Sequence, residues 1–261
     1  MRALSIGATG MMAQQTNVEV ISNNVANMGT TGFKRGRAEF QDLLYQQERR
    51  VGSPTSDADT ILPTGVQLGL GVKTAAISRV NEQGALVKTD NRLDVALQGQ
   101  GYFTVQLPNG DTAYTRAGFF QLSPDGTIVT ADGYPLQPNI VIPQDAKDVS
   151  ISDAGEVFVF FDGQTQPQNL GQLDLATFIN DNGLEALGNN LFKETAASGA
   201  PTTGVAGTPG FGTMLQGYLE GSNVNVVSEI TNLIQAQRAY EMNSKSIETA
   251  DQMLQTITQM R

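Results

Sequence analysis

The 261-residue sequence contains no cysteine, no histidine and no tryptophan. Without cysteine there is neither a disulfide framework nor a thiolate metal site. Without histidine, every imidazole-based triad and every His-ligated metal is excluded. Charge is scarce as well. Asp, Glu, Lys and Arg make up 16% of the chain, and no basic patch of the kind a nucleic-acid binder carries is visible. No stretch approaches the roughly 18 consecutive apolar residues of a membrane span. Met1–Gly10 lacks the continuous apolar run of a secretory signal. The reading is therefore no cofactor, no metal, no nucleic acid and no membrane insertion. An enzyme built on Asp and Glu alone stays open.

What is present is a hydrophobic fraction of 39%, enough for a core, in a length that suits one or two domains. The net charge is −10, from 16 basic and 26 acidic residues. It is unevenly spread. Residues 94–221 hold 14 Asp/Glu and 3 Lys/Arg, a balance of −11, which leaves 12 and 13 for the rest, a balance of +1. An acidic middle between nearly neutral ends fits a chain whose middle faces water and whose ends bury against something.

Both ends read as helices. Leu4, Met11, Val18 and Val25 recur at a spacing of seven, with Ile21 and Met28 as a second column. Gly7 and Gly10 weaken the start of this helix, and Asn27 and Gly29 are plausible terminators. From about Asn225 onward, Ile230, Leu233, Gln237, Tyr240, Ser244, Ile247, Asp251 and Leu254 follow 3-4-3-4 spacing, widened by Val227, Ile234 and Ile257. Asn225 is placed to cap this helix, Glu229 suits its first turn, and no Gly or Pro interrupts 226–261. At 1.5 Å per residue it would be roughly 50 Å long. One such stripe would be an ordinary amphipathic helix. Two, at opposite ends of one chain, predict an N–C helix pair or a bundle shared by several chains. Leu4, Met11, Val18, Ile21, Val25, Val227, Ile230, Leu233, Ile234, Tyr240, Ile247 and Leu254 are the candidate assembly interface.

Between the helices the punctuation is that of short antiparallel strands. Asn109-Gly110, Asp125-Gly126 and Asp132-Gly133 are turn dipeptides. Phe103, Val105 and Leu107 alternate with Tyr102, Thr104 and Gln106. Further strands are predicted at 127–130, 134–142, 149–151, 156–161 and 172–179, and a loop from Ser198 to Gly212. This spacing suggests a sandwich or small barrel. Residues 31–93 are less regular: Ile61–Val72 looks extended, and Gln46–Thr60 polar and loop-like. The predicted class is α+β, with terminal helices forming a coiled-coil-like pair or inner tube and a central antiparallel β-rich domain. Its parts are 1–30 with 222–261 as the helical assembly domain, 31–93 as a connecting region and 94–221 as the β domain.

Sharper chemistry finds little support. Gly99-x-Gly101 and Gly69-x-Gly71 lack both the full dinucleotide fingerprint and a following Lys-Ser/Thr. A glycosidase needs only two carboxylates, but Asp111, Asp125, Asp132, Asp153, Asp162 and Asp181 sit at predicted turns. An adhesin-like β module would explain the middle of the chain and not its two heptad ends.

Ser22-Asn23-Asn24-Val25-Ala26-Asn27 followed by Thr31-Gly32-Phe33-Lys34-Arg35 resembles the N-terminal signature of the flagellar rod and hook proteins. Gly99–Phe103 and Tyr114–Gly118 are similar to that family's central signatures. Ser222–Asn225 with Asn232–Glu241 is similar to its C-terminal one. The distal rod branch is the one resembled most, because there is no room for the larger outer domain of hook proteins and Gln46–Gly65 resembles the insertion of distal rods. A hook or proximal-rod member is the alternative.

The resemblance implies a structural protein, not an enzyme. It implies a hollow helical polymer, with the terminal helices as an inner tube around an export channel, the β domain outside and the insertion stiffening the shaft. Its implied partners are further copies, other rod subunits, the hook protein, the surrounding ring (bushing) proteins and the flagellar type III export apparatus. The implied location is the basal-body rod within the periplasm, reached without a cleaved signal peptide.

Overall fold

The computed structural model describes residues 2–49, 64–162 and 166–259. Most of the expected insertion, residues 50–63, lies outside them. The chain forms two compact units. One is drawn from Met1–Ala26, Gly36–Ser78 and Asn225–Arg261, the other from Asn27–Arg35 and Arg79–Val224. The architecture is α+β: one helix at each end and antiparallel strands between them.

The first unit holds both helices. Helix α1 spans Arg2–Ala26 and ends where Asn27 and Gly29 break the periodicity. Helix α2 spans Val226–Gln259, 34 residues or about 51 Å. Asn225 caps it as expected: its Oδ1 accepts the Ser228 N–H at 3.2 Å. Alongside α1 runs a β ribbon in which Gly36–Asp42 pairs with Val72–Arg79. Beyond it Tyr45–Arg49 pairs antiparallel with Val66–Gly69, Tyr45 opposite Gly69. The ribbon is largely solvent-exposed, while Ala13 and Val20 of α1 are buried.

The second unit is built on a seven-stranded antiparallel sheet. Its order is Glu185–Gly188, Leu191–Lys193, Thr112–Thr115, Tyr102–Gln106, Asp174–Thr177, Thr202–Val205, with the short Leu136–Gln137 also on Tyr102–Gln106. A three-stranded sheet, Ala146–Ile151, Glu156–Phe161 and Gln168–Gln172, carries the other side of the core. The three predicted turn dipeptides all sit in tight turns. In each, the glycine N–H bonds back to the carbonyl three residues earlier: Gly110 to Leu107, Gly126 to Ser123 and Gly133 to Thr130.

Three local expectations change. The strand Tyr102–Gln106 is buried on both faces. Phe103 and Val105 enter the main core, while Tyr102 joins Tyr114, Ala176 and Leu184 in a second cluster, edge-on to Phe178 at 5.9 Å and Phe192 at 6.0 Å. Of the predicted strand 134–142 only Leu136–Gln137 forms, because Pro135, Pro138 and Pro143 remove ladder donors. The predicted loop 198–212 contains the edge strand Thr202–Val205, which Thr202, Thr203 and Val205 favour despite the glycines around them.

Candidate assembly interface

The two helices lie antiparallel, and α1 approaches through its glycines. A Cβ on Gly7 would stand 2.8 Å from Ile247 Cγ1, and one on Gly10 2.9 Å from Asn243 Nδ2. These glycines therefore serve close packing, at a cost in helix propensity. At the other end of the seam Asn24, 2% exposed, donates to Glu229, 3% exposed, at 3.1 Å. Asn24 also brackets the entry to the ribbon, giving Nδ2–H to Gly36 O and taking Gly36 N–H on Oδ1, both at 2.8 Å.

This close approach decides which face of α2 turns inward. Glu229, Ala236, Asn243 and Ala250 recur every seven residues, and all but the half-buried Asn243 are buried. They sit one position before the column Ile230, Gln237, Ser244, Asp251 that apolar spacing suggested. The second column, Leu233, Ile247 and Leu254, is half-buried, and Tyr240 within it is exposed. Ile247 packs directly on Gly7, while several other bulky side chains of α2 stay outside the seam. Val227 is 76% exposed, Ile230 46%, Ile234 45% and Tyr240 43%. On α1, Ile21 is buried, and Leu4, Met11, Val18 and Val25 are half-buried. At about 100° per residue, Val227, Ile230 and Ile234 fall on the side of α2 away from the buried column. Val18 and Tyr240 line an open groove of about 530 Å³ together with Gln15, Glu19, Gln237 and Glu241.

The second unit contains a buried polar junction that apolar periodicity could not reveal. Glu220 is 1% exposed. Its carboxylate accepts from Arg116 Nε at 2.5 Å, from Lys34 Nζ at 2.5 Å and from Gly84 N–H at 3.0 Å. Arg116 also donates to the carbonyls of Gly101 at 2.5 Å and Gly99 at 2.6 Å. The Gly99-x-Gly101 pair is thus the carbonyl cradle of an internal cation, not a phosphate loop. Asn223 completes the junction: its Oδ1 accepts Arg35 N–H at 2.8 Å and its Nδ2 donates to Val80 O at 2.7 Å. Gly32, at φ +69°, gives its N–H to Glu220 O at 2.8 Å. A Cβ there would stand 3.0 Å from Ala117 N.

Segments quoted above from the N-terminal, central and C-terminal signatures thus meet at one place. Burial pushes the Glu220 carboxyl up, but Arg116 and Lys34 together outweigh it and hold it below the usual carboxylate range. Burial also pushes the Lys34 ammonium down, and the bond to Glu220 only partly offsets this. Lys34 and Arg116 stood inside recognisable motifs; Glu220 did not. The signal that could have found it is an isolated acid in the strand Tyr218–Glu220, flanked by Leu219 and Gly221.

Among the described residues no cluster of three or more acidic side chains is placed to hold a metal ion. Of the turn carboxylates, Asp111 takes the Lys193 ammonium at 2.6 Å and Asp162 the Lys147 ammonium at 3.4 Å. Burial raises the Asp181 carboxyl, against the pull of Arg116 and Lys34.

Three family models match the chain in order. Residues 4–34 match the flagella basal body rod protein family, residues 96–159 the flagellar hook protein FlgE/F/G D1 domain, and residues 215–260 the flagellar basal body rod FlgEFG protein C-terminal family. The flagellar basal-body rod protein FlgG of Caulobacter vibrioides is 61% identical over all of both chains. That of Agrobacterium fabrum is 54% identical, over 99% of this chain and 98% of the relative. That of Bacillus subtilis is 39% identical, over 100% of this chain and 99% of the relative. With its signatures gathered at one junction and full-length relatives of this kind, the chain belongs to the flagellar basal-body rod protein family.

Proposed function

We propose that the chain is a structural subunit of the distal rod of the bacterial flagellar basal body, acting by polymerisation and not by catalysis. The full-length relatives are named as rod proteins. The observation that carries the reading is the exposed row Val227, Ile230 and Ile234 on α2, set away from the face that packs on α1. An apolar row along the outer side of a helix is the kind of surface that another helix covers. Together with Leu4, Met11, Val18, Ile21, Val25, Leu233, Tyr240, Ile247 and Leu254 it forms the assembly surface, part closing the subunit's own helix seam and part meeting neighbours.

The polymer would be a rigid hollow shaft that carries motor torque across the periplasm to the hook and encloses the export channel. Its partners would be further copies, other rod subunits, the hook protein, the ring proteins around it and the type III apparatus that exports it without a cleaved signal peptide. The test is electron microscopy of the purified protein at high concentration, with straight tubes expected. Ile230→Asp should abolish them and leave the β-strand circular dichroism intact. Normal tubes from this variant would remove the assigned surface.

A further inference from the structure

The helical unit has two unused strips that fit each other. On α1, Met12, Gln15, Glu19, Ser22 and Ala26 follow 3-4-3-4 spacing and are all exposed. They carry a single charge, Glu19, whose carboxylate accepts from the Gln15 side-chain amide at 3.2 Å and from no other group among the described residues. Met12, Gln15 and Glu19 also line an open groove of about 470 Å³ beside α1, with Leu43, Val72 and Lys73 on its other wall. On α2, the exposed apolar row Ile230 and Ile234 continues into Arg238 and Glu241, each exposed. Neither Arg238 nor Lys73 has an ion-pair partner among the described residues.

We infer that α2 of one copy lies along α1 of the next, antiparallel, in the groove beside α1, with Arg238 on Glu19. This rests on the rod reading. Three features fit it. A contact between two different surfaces of identical subunits propagates as an open helix wherever its rotation does not close a ring. If the helices run along the polymer axis, copies sharing one direction bring α1 and α2 together antiparallel, as within a single chain. In that direction the strips run nearly in step: from Glu19, Ser22 and Ala26 lie about 4.5 and 10.5 Å along α1, and from Arg238, Ile234 and Ile230 lie about 6 and 12 Å along α2. Setting Arg238 at Glu19 brings Ile234 to Ser22 and Ile230 to Ala26, large side chains over small ones. The charge order is complementary too. The hydrogen bond from Val72 N–H to Thr9 Oγ1, at 3.4 Å, places Lys73 toward the α1 N-terminus from Glu19. The groove therefore reads acid then base, and α2 reads Arg238 then Glu241 in the matching direction.

The test uses charge reversal in the full chain. Glu19→Arg and Arg238→Glu should each raise the protein concentration needed for tubes by about tenfold or more, since each places like charges together. The double variant should return to within about threefold of the original protein. Both positions are exposed, so the thermal melts of the unassembled variants should be unchanged. The absence of cysteine allows a direct check. Glu19→Cys protein mixed with Arg238→Cys protein under polymerising, oxidising conditions should give a disulfide-linked heterodimer in preference to either homodimer. Tubes that form without this cross-link, single variants that assemble normally, or a double variant no better than the singles would overturn the contact while the rod reading stands. Failure of the original protein to form any tube would overturn both.

Discussion

A carboxylate as enclosed as Glu220 survives only because two cations and a backbone N–H surround it. A buried ion pair adds little net stability against an apolar substitute, but removing one partner strands the other charge. Glu220→Gln is therefore expected to destabilise the protein by about 3–5 kcal/mol, read as a lower midpoint in denaturant. Destabilisation well under 1 kcal/mol would mean that water reaches Arg116 and Lys34. The same geometry sets a pH dependence. The folded-state value of Glu220 is depressed, so its contribution is fully present above the unfolded carboxylate range, near 4.3, and is lost as pH falls through the folded value. The melting temperature of the original protein should drop on that acid limb, and the limb should flatten in Glu220→Gln. An equally steep limb in the variant would assign the acid lability to other carboxylates. This junction was half legible beforehand. Lys34, Arg116 and the two glycines that cradle Arg116 stood in motifs recognisable by type, but hydrophobic patterning is blind to a polar group satisfied by residues 104 and 186 positions away.

Among elements, the helices, their ends and the Asn225 cap were legible because long periodic segments and caps are local signals. The inward face of α2 was not. Apolar spacing pointed to Ile230, whereas the buried column is Glu229, Ala236 and Ala250: Gly7 and Gly10 let Ile247 and Asn243 approach closely, and Glu229 is held inward by its hydrogen bond with Asn24. The prolines that cut 134–142 and the threonines that made a strand in 202–205 acted in the same way, as local chemistry overriding a broader pattern. The register, Gly7 at Ile247 and Gly10 at Asn243, puts the start of α1 opposite roughly residue 252 of α2, at equal rise on both helices. The last two turns of α2 then have no α1 beside them. In the unassembled protein their amides should exchange quickly while those of 233–247 are protected, and in tubes the last turns should become protected as well. Equal protection along α2 before assembly would mean that this overhang is already covered.

For the molecule as a whole, charge is the quantity that crosses levels. Each copy carries −10, and 94–221 alone carries −11. Assembly crowds these charges. Lowering salt from 0.15 M to 0.01 M lengthens the screening distance from about 8 Å to about 30 Å. The concentration required for tubes should therefore rise as salt is lowered. Insensitivity or the opposite trend would mean that the acidic segments stay far apart between copies. Connectivity crosses levels too. The chain passes from the helical unit into the β unit and back through residues 27–35, 79–82 and 220–224. These three segments are tied to one another at one spot, through Lys34 to Glu220 and through Asn223 to Arg35 and Val80. A pull on any of these connections therefore meets that knot. Force entering by one connection would then be shared with the other two through an ion pair and two hydrogen bonds.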